Sequence, residues 1–139
     1  MIKNKENYYN LLRILLLLLI VLGVTFFSIS RIKNLKENHV IVIGIAIKNT
    51  HGTGNDGVEY KFDYQGKTYE EWCFTNTNTI EGGKYFVLCH TENISRSKLL
   101  EKCPVPDTIE KAPLNGWQKI PVKAYQKNVD GYFKTFISD

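Results

Sequence analysis

Residues 58–74 read VEYKFDYQGKTYEEWCF and carry the clearest structural pattern in the chain. From Val58 to Tyr64, large apolar side chains alternate with charged or polar ones, which is the pattern of a half-buried β-strand. The turn-forming pair Gln65-Gly66 follows, and residues 68–75 return as a partner strand. This stretch therefore predicts a β-hairpin, and a β-domain around it.

The length of this turn decides where Trp72 and Phe74 point. A two-residue turn places Tyr69, Glu71 and Cys73 on the inner face of the hairpin and leaves both aromatic side chains outside. A three-residue turn reverses the two faces and buries Trp72 and Phe74. Burial is the commoner fate of Trp and Phe, whereas outward-facing aromatics would form a partner surface. Both registers remain open at this point.

Short β-type runs flank the hairpin. Residues 40–47 (VIVIGIAI) and 84–90 (KYFVLCH) are rich in β-branched or aromatic side chains, and Gly44 marks a bend or bulge in the first of them. A glycine-rich loop precedes the hairpin, and it matches neither phosphate-binding glycine pattern. Residues 39–100 are therefore expected to form a small antiparallel barrel or a bent sheet.

The C-terminal part has a different character. Four prolines punctuate residues 101–139, at positions 104, 106, 113 and 121. Runs at 122–127 and 132–137 flank Asp130-Gly131, a pair typical of tight β-turns. We therefore expect a Pro-punctuated extension that ends in a possible hairpin.

The N-terminal part predicts a membrane span. Leu11–Ser30 has 20 residues with a single charge, Arg13, near its start. As a helix it measures about 30 Å at about 1.5 Å per residue, the thickness of a hydrocarbon core. A basic tail (1–10) precedes the span, and a basic juxtamembrane linker (31–38) follows it. The alternative is a cleaved signal peptide with Ser28-Ile29-Ser30 as its cleavage site.

The net charge of +4 belongs to this N-terminal part. Residues 1–37 hold six Lys and Arg against two Glu, whereas residues 38–139 hold twelve basic and twelve acidic residues. A nucleic-acid-binding domain would carry the excess on its own surface. No nucleic-acid partner is therefore expected.

The β-region resembles a family of small membrane-tethered bacterial β-proteins that are classed as domains of unknown function. The matching residues are Gly44, Tyr60, Phe62, Tyr64, Gly66, Lys67, Tyr69, Gly83, Lys84, Tyr85, Phe86 and Val87. Residues 91–94 (TENI) depart from the family pattern, which carries two prolines there. The resemblance covers roughly residues 39–100 and implies an SH3-like or related small barrel beside a membrane helix. It carries over no catalytic residue.

This setting suggests a location at the bacterial inner membrane. Lys and Arg residues flank the span equally on both sides, so the positive-inside rule gives no orientation. A short tail before a first apolar segment favours an N-terminus inside the cell. The β-domain is then expected on the outer, periplasmic side.

The three cysteines offer little chemistry. Cys73, Cys89 and Cys103 form no CxxC pair, so neither a zinc site nor another cofactor is expected. Cys73 and Cys89 would face each other if their strands formed a hairpin, which makes a disulfide one expectation. Reduced, buried thiols are the alternative. Cys89 and His90 are adjacent on a strand and point to opposite faces, which argues against a nucleophile–base pair.

Other candidate groups also lack a catalytic pattern. Glu70 and Glu71 are strand neighbours and diverge, whereas acid–base hydrolysis needs two converging carboxylates. The three histidines are expected in loops or on the surface. No catalytic residue is therefore assigned.

These observations predict a single-pass, membrane-anchored β-domain that acts as a non-catalytic interaction or scaffolding module. Its partners would be the lipid bilayer, through residues 11–30, and a protein. One alternative is an accessory subunit of a membrane protein complex, with the Leu-rich helix as the contact. Another is a secreted or membrane-bound hydrolase or thiol-redox protein that uses a cysteine or a carboxylate.

Overall fold

A computed structural model describes residues 2–135 of the chain, with side chains from residue 5 onward. A long N-terminal helix is followed by five antiparallel strands and a short C-terminal helix. The elements are α1 (Ile2–Glu37), β1 (His39–His51), β2 (Asp56–Tyr64), β3 (Lys67–Phe74), β4 (Lys84–His90), β5 (Lys98–Pro104) and α2 (Gln126–Lys134). Short 3₁₀ turns precede β5 and α2.

Helix α1 is long and apolar enough to cross a membrane, and none of its most apolar window is buried within the chain. It continues beyond the predicted span in both directions, so the linker predicted at 31–38 is helical as far as Glu37. The hydroxyls of Thr25 and Ser28 donate to carbonyl oxygens of Val21 and Val24, one turn earlier. Both polar side chains are thus satisfied within the helix, as an apolar surrounding requires.

The five strands form one open sheet in the order β3-β2-β1-β4-β5. The strands predicted at 40–47, 58–65, 68–75 and 84–90 match β1 to β4. β1 lies at the centre and pairs with both β2 and β4. The sequence did not predict β5, which crosses the predicted domain boundary at residue 100.

The closed barrel is wrong for the part of the chain that the structure describes, and the bent, open sheet remains. β1 carries a register irregularity between Ala46 and Lys48, and β4 and β5 shift register beyond Tyr85. At Gly44 a Cβ atom would lie 2.5 Å from the Cγ2 atom of Val87, so only glycine fits this approach of two strands. β3 and β5 share no backbone ladder, so the sheet is open.

Both faces of the sheet are buried at β4 and along the first half of β1, which explains why β1 is apolar on both sides there. The inner face holds Tyr60, and the hydroxyl of Tyr60 donates to the carbonyl oxygen of Ser97 at the start of β5. The inner cluster comprises Val40, Val42, Ala46, Val58, Tyr60, Phe62, Tyr64, Cys73, Tyr85, Val87, Cys89 and Leu99. The outer cluster comprises Leu35, Ile41, Phe86, Leu88, Leu100, Cys103, Ile120, Val129 and Phe133. The end of α1 and one face of α2 thus complete the fold.

The hairpin predicted around Asp130-Gly131 is wrong. Residues 126–134 form α2, and Val129 and Phe133, four residues apart, bury one helical face against the sheet. Gly131 is tolerated inside this helix because burial of that face outweighs a cost of about 1 kcal/mol. Residues 136–137 of the predicted second strand lie outside the described residues.

The C-terminal extension belongs to the same body as the sheet. Ile41 and Trp117 exchange two backbone hydrogen bonds, at 2.7 and 2.8 Å, beside the end of β2. Gly116 has a φ of 68°, and a Cβ atom there would lie 2.8 Å from the carbonyl oxygen of Ile41. Residues 101–135 therefore cover the sheet and do not form a separate appendage.

Candidate functional site: a basic cleft beside the edge strands

The turn between β2 and β3 settles the direction of Trp72 and Phe74. Tyr64 pairs with Lys67, so the loop has two residues, Gln65 and Gly66, with φ angles of 50° and 75°. Two positive φ angles are characteristic of a type I′ turn, which suits the twist of a hairpin. The two aromatic side chains therefore point outward, with 41% of Trp72 and 57% of Phe74 exposed.

Trp72 and Phe74 form an ordered pair on the outer surface. Their ring centroids lie 4.5 Å apart in an edge-to-face arrangement. The indole N–H of Trp72 donates to the hydroxyl of Thr50 over 2.9 Å. The indole also lies over Gly57, where a Cβ atom would be only 2.4 Å from the ring. The pair is thus held in place while much of its apolar surface stays open to solvent.

Side chains, and not a backbone ladder, connect the two edge strands. The ammonium group of Lys98 on β5 donates to the carbonyl oxygen of Phe74. The backbone N–H of Asn76 donates to the carboxylate of Glu101 over 3.2 Å. These contacts keep β3 and β5 close together, and an open cleft remains beside them.

The cleft has a volume of about 870 Å³, within the range of small-molecule sites. Four parts of the chain form its walls: the last turns of α1, the end of β3, the stretch from Ser95 through β5, and α2. Leu35, Leu100 and Tyr132 contribute apolar surface, and Trp72 and Phe74 line the β3 side. Burial raises the pKa of Tyr132 to about 12, so its hydroxyl stays protonated at neutral pH.

Positive charge predominates in the cleft. One acidic residue, Glu101, lines it, against five basic ones: Arg31, Arg96, Lys98, Lys102 and Lys127. The carboxylate of Glu101 also accepts the Asn76 hydrogen bond. Residues 38–139, which are neutral in sum, and Arg31 of α1 thus form a cationic groove together. The charge and shape suit an anionic group with an apolar part.

Sequence reasoning missed this cleft because it counted charge over the whole domain. The only signal along the chain is the spacing of Arg96, Lys98 and Lys102. Arg31 and Lys127 join them only through tertiary packing. The predicted partner residues Trp72 and Phe74 both line this cleft. Of the two cysteines predicted to form a disulfide, Cys73 lines the cleft and Cys89 does not.

The hairpin assumed for the disulfide is wrong, because β2 and β1 lie between β3 and β4 in the sheet. Cys73 pairs with Val58, and Cys89 pairs with Val40. Cys73, Cys89 and Cys103 are all buried free thiols. Burial raises the pKa of each, to about 11 for Cys89. Protonated, buried thiols are poor nucleophiles.

His90 is buried, contrary to the surface position expected for the histidines. Its Nδ1 accepts backbone N–H groups from Glu92 and Asn93, at 3.2 and 3.0 Å. Its Nε2 therefore carries the proton and donates to the side-chain oxygen of Asn34 on α1, over 2.5 Å. Desolvation lowers the pKa of His90, so the neutral ring holds the end of α1 to the sheet.

The carboxylates do not form an acid–base pair. Glu71 lies opposite Tyr60 on β2, on the inner side of the hairpin, whereas Glu70 points to the other face. Desolvation raises the pKa of Glu71. Among residues 2–135, no group of three or more His, Cys, Asp or Glu side chains could hold a metal ion.

In comparisons with known proteins, no family model, no curated protein and no solved structure gives a significant match to this chain.

Proposed function

We propose that this protein is a single-pass membrane-anchored β-domain that acts as a non-catalytic interaction module on the outer face of a bacterial inner membrane. The observation that carries the proposal is the two-part character of α1. No residue of its most apolar window is buried within the chain, whereas Leu35, at its end, is 4% exposed and packs into the outer cluster. One continuous helix thus connects a bilayer-sized apolar segment to a folded domain without a flexible linker.

The chemistry of the domain supports binding more than catalysis. The cysteine thiols are buried with raised pKa values, and the neighbouring carboxylates Glu70 and Glu71 diverge. The cleft with its Trp72–Phe74 pair offers an exposed surface of mixed apolar and cationic character. Such surfaces are typical of recognition sites. A protein partner remains part of this proposal.

Fractionation and protease accessibility test the anchor. The full chain carries a C-terminal epitope tag in bacterial cells, and the membranes are washed with alkaline carbonate. We expect a full-length chain in the washed membrane and a tag that external protease removes in spheroplasts. A protected tag would contradict the orientation. A chain shortened by about 30 residues, the length of a cleaved signal peptide, would replace the anchor with that alternative.

A second candidate function is an accessory subunit that contacts other membrane helices through α1. The exposed apolar surface surrounds the helix, and apart from the adjoining helix backbone and chain neighbours nothing lies within 4 Å of the Cβ position of Gly23. A glycine on an open helix surface permits close approach of another helix. Replacing residues 11–30 by an unrelated span of equal length should then abolish co-purification of the partner. Unchanged co-purification would leave the β-domain as the binding part.

The thiol-redox alternative has its own test. The native chain should react with a thiol reagent only after unfolding, because all three thiols are buried. Fast labelling of the folded chain would favour a reactive cysteine. Failure to label Cys73 and Cys89 in the unfolded, unreduced chain would show that these thiols are oxidised and would contradict the free thiols of the structure.

A further inference from the structure

We propose that the basic cleft binds the headgroup of an anionic phospholipid of the membrane that holds α1. The proposal rests on the membrane anchor proposed above and assigns a ligand class to the cleft. The ligand would be a diacyl lipid with a negatively charged phosphate, such as phosphatidylglycerol. Trp72 and Phe74 would then lie at the level of the headgroups.

The position of the cleft supports a lipid. Ser28, Arg31 and Ile32 of α1 form part of its wall, and the predicted span ends at Ser30. The cleft therefore extends to the level where the helix would leave the hydrocarbon core. A lipid beside the helix could place its headgroup in the cleft without leaving the bilayer. A soluble ligand would have to reach the same place between the domain and the membrane.

The charge of the cleft supports an anionic headgroup. Residues 38–139 are neutral in sum, yet four of their basic side chains and one carboxylate line the cleft, and Arg31 of α1 is a fifth basic side chain there. Lys102 and Lys127 are exposed and therefore available to a ligand, while Lys98 is already bonded to Phe74. Basic side chains at a membrane surface attract anionic lipids, and salt weakens that attraction.

The aromatic pair supports the same occupant. Trp72 and Phe74 expose apolar ring surface on the cleft that the basic residues line. Tryptophan is enriched at membrane–water interfaces because its ring is apolar and its N–H is polar. An acidic peptide would satisfy the basic residues, but it would not account for their position beside an apolar helix. An anionic lipid accounts for both.

The fluorescence of Trp72 provides the test. The chain has two tryptophans, so Trp117→Phe leaves Trp72 as the only reporter. The full chain with this substitution is placed in nanodiscs of phosphatidylcholine, or of phosphatidylcholine and phosphatidylglycerol in equal parts. Acrylamide quenching is measured at low and high salt. We expect weaker quenching of Trp72 with phosphatidylglycerol at low salt, and a smaller difference at high salt.

Matched charge variants locate the binding site. Lys102→Gln with Lys127→Gln removes two cleft charges, whereas Lys61→Gln with Lys119→Gln removes two exposed charges elsewhere. In the nanodiscs with phosphatidylglycerol at low salt, the cleft variant should lose most of the protection of Trp72 from acrylamide. The control variant should keep that protection. An equal effect of both variants would indicate general surface attraction and overturn the proposal.

Other outcomes separate this inference from the anchor. Equal quenching in both nanodiscs, with a chain that resists alkaline carbonate, would overturn the lipid site and leave the anchor standing. If polyglutamate then protects Trp72, the occupant is an acidic protein segment. A chain that carbonate releases would overturn the anchor and the lipid site together.

Discussion

The two ends of α1 place the same side chain in opposite surroundings. Leu17 is 62% exposed, whereas Leu35, eighteen positions further along the same helix, is 4% exposed. Burial of a leucine is worth about 1.5–3 kcal/mol. Leu35 gains this within the chain, from the outer cluster. The leucines between Leu11 and Leu22 stay 50–66% exposed within the chain. The bilayer that we propose around this segment would supply the remaining burial.

This comparison shows that one continuous helix can have different surroundings along its length. Residues 14–22 are apolar around the whole helix and therefore fit a surrounding that is apolar on all sides. In the last turns of α1, Ile32 and Leu35 pack against the sheet, and Asn34 is hydrogen-bonded to His90. The helix is continuous, but the folded chain covers only its C-terminal end.

The largest expected effect is on membrane insertion, and it comes from charged substitutions in the exposed, apolar part of α1. Leu16→Arg with Leu19→Arg places two guanidinium groups near the middle of the predicted span. Each costs about 2.5–3.5 kcal/mol of membrane insertion. We expect the chain to move from the carbonate-resistant membrane fraction to the soluble or aggregated fraction. Leu16→Ala with Leu19→Ala is the control and should stay in the membrane; a charged variant that also stays there would refute the span.

The next effect sharpens the contrast between the two leucines. Leu35→Ala should destabilise the folded domain by about 2–5 kcal/mol, because it leaves a cavity in the outer cluster. Leu17→Ala should not change the unfolding temperature of the β-domain. Thermal unfolding of both variants in detergent, followed by circular dichroism, checks the pair. Equal shifts in the two variants would contradict the packed position of Leu35.

A smaller effect concerns the polar contact between the same helix end and the sheet. The pKa of His90 is lowered below 6.5 in the folded state, chiefly by desolvation and then by Arg96. As pH falls below 6.5, the unfolded chain therefore binds the proton first, and the free energy of unfolding decreases. Above 6.5 both states are neutral, so this contribution to stability is fully present there.

Denaturant unfolding between pH 5 and 7 measures this contribution. His90→Gln should be less stable at pH 7, because the contacts to Asn34 and Asn93 change. It should also lose much of the pH dependence in this window. The same pH dependence in His90→Gln and in the original chain would assign it to another group.

The smallest effect is expected at the cleft. Phe74 is exposed and belongs to neither core cluster. Phe74→Ser removes the edge-to-face contact with Trp72 and should therefore lower the free energy of unfolding by no more than about 1.5 kcal/mol. Chemical denaturation of this variant beside Leu35→Ala makes the comparison direct. If Phe74→Ser lost as much free energy of unfolding as Leu35→Ala, the main role of Phe74 would be to stabilise the fold, and it would not be a side chain available for binding.

Local pattern was enough to predict four of the strands. In β2 and β3, the alternation of side chains and the Gln65-Gly66 turn specify a hairpin through neighbouring residues alone. β5 was missed because Lys98–Pro104 contains three charged residues and a proline, so its apolar positions show no clean alternation. It becomes a strand because the edge of β4 offers hydrogen bonds and the two clusters bury Leu99, Leu100 and Cys103.

The errors have the same physical origin. The disulfide prediction assumed that β3 and β4, which follow each other in sequence, are also neighbours in the sheet, but β1 and β2 separate them. The hairpin at Asp130-Gly131 relied on local turn preference, which the burial of Val129 and Phe133 outweighs. In both cases the local sequence is compatible with more than one structure, and contacts between residues far apart in sequence decide which structure forms.

By itself the sequence determined the apolar helix, the β-hairpin and the mainly-β character of the domain. These follow from interactions between residues that are close along the chain. Tertiary structure alone decided the strand order, the buried position of His90 and the assembly of the basic cleft. Arg31, Arg96 and Lys127 are far apart in sequence, and only the packing of α1, β5 and α2 around one sheet edge brings them to a common surface.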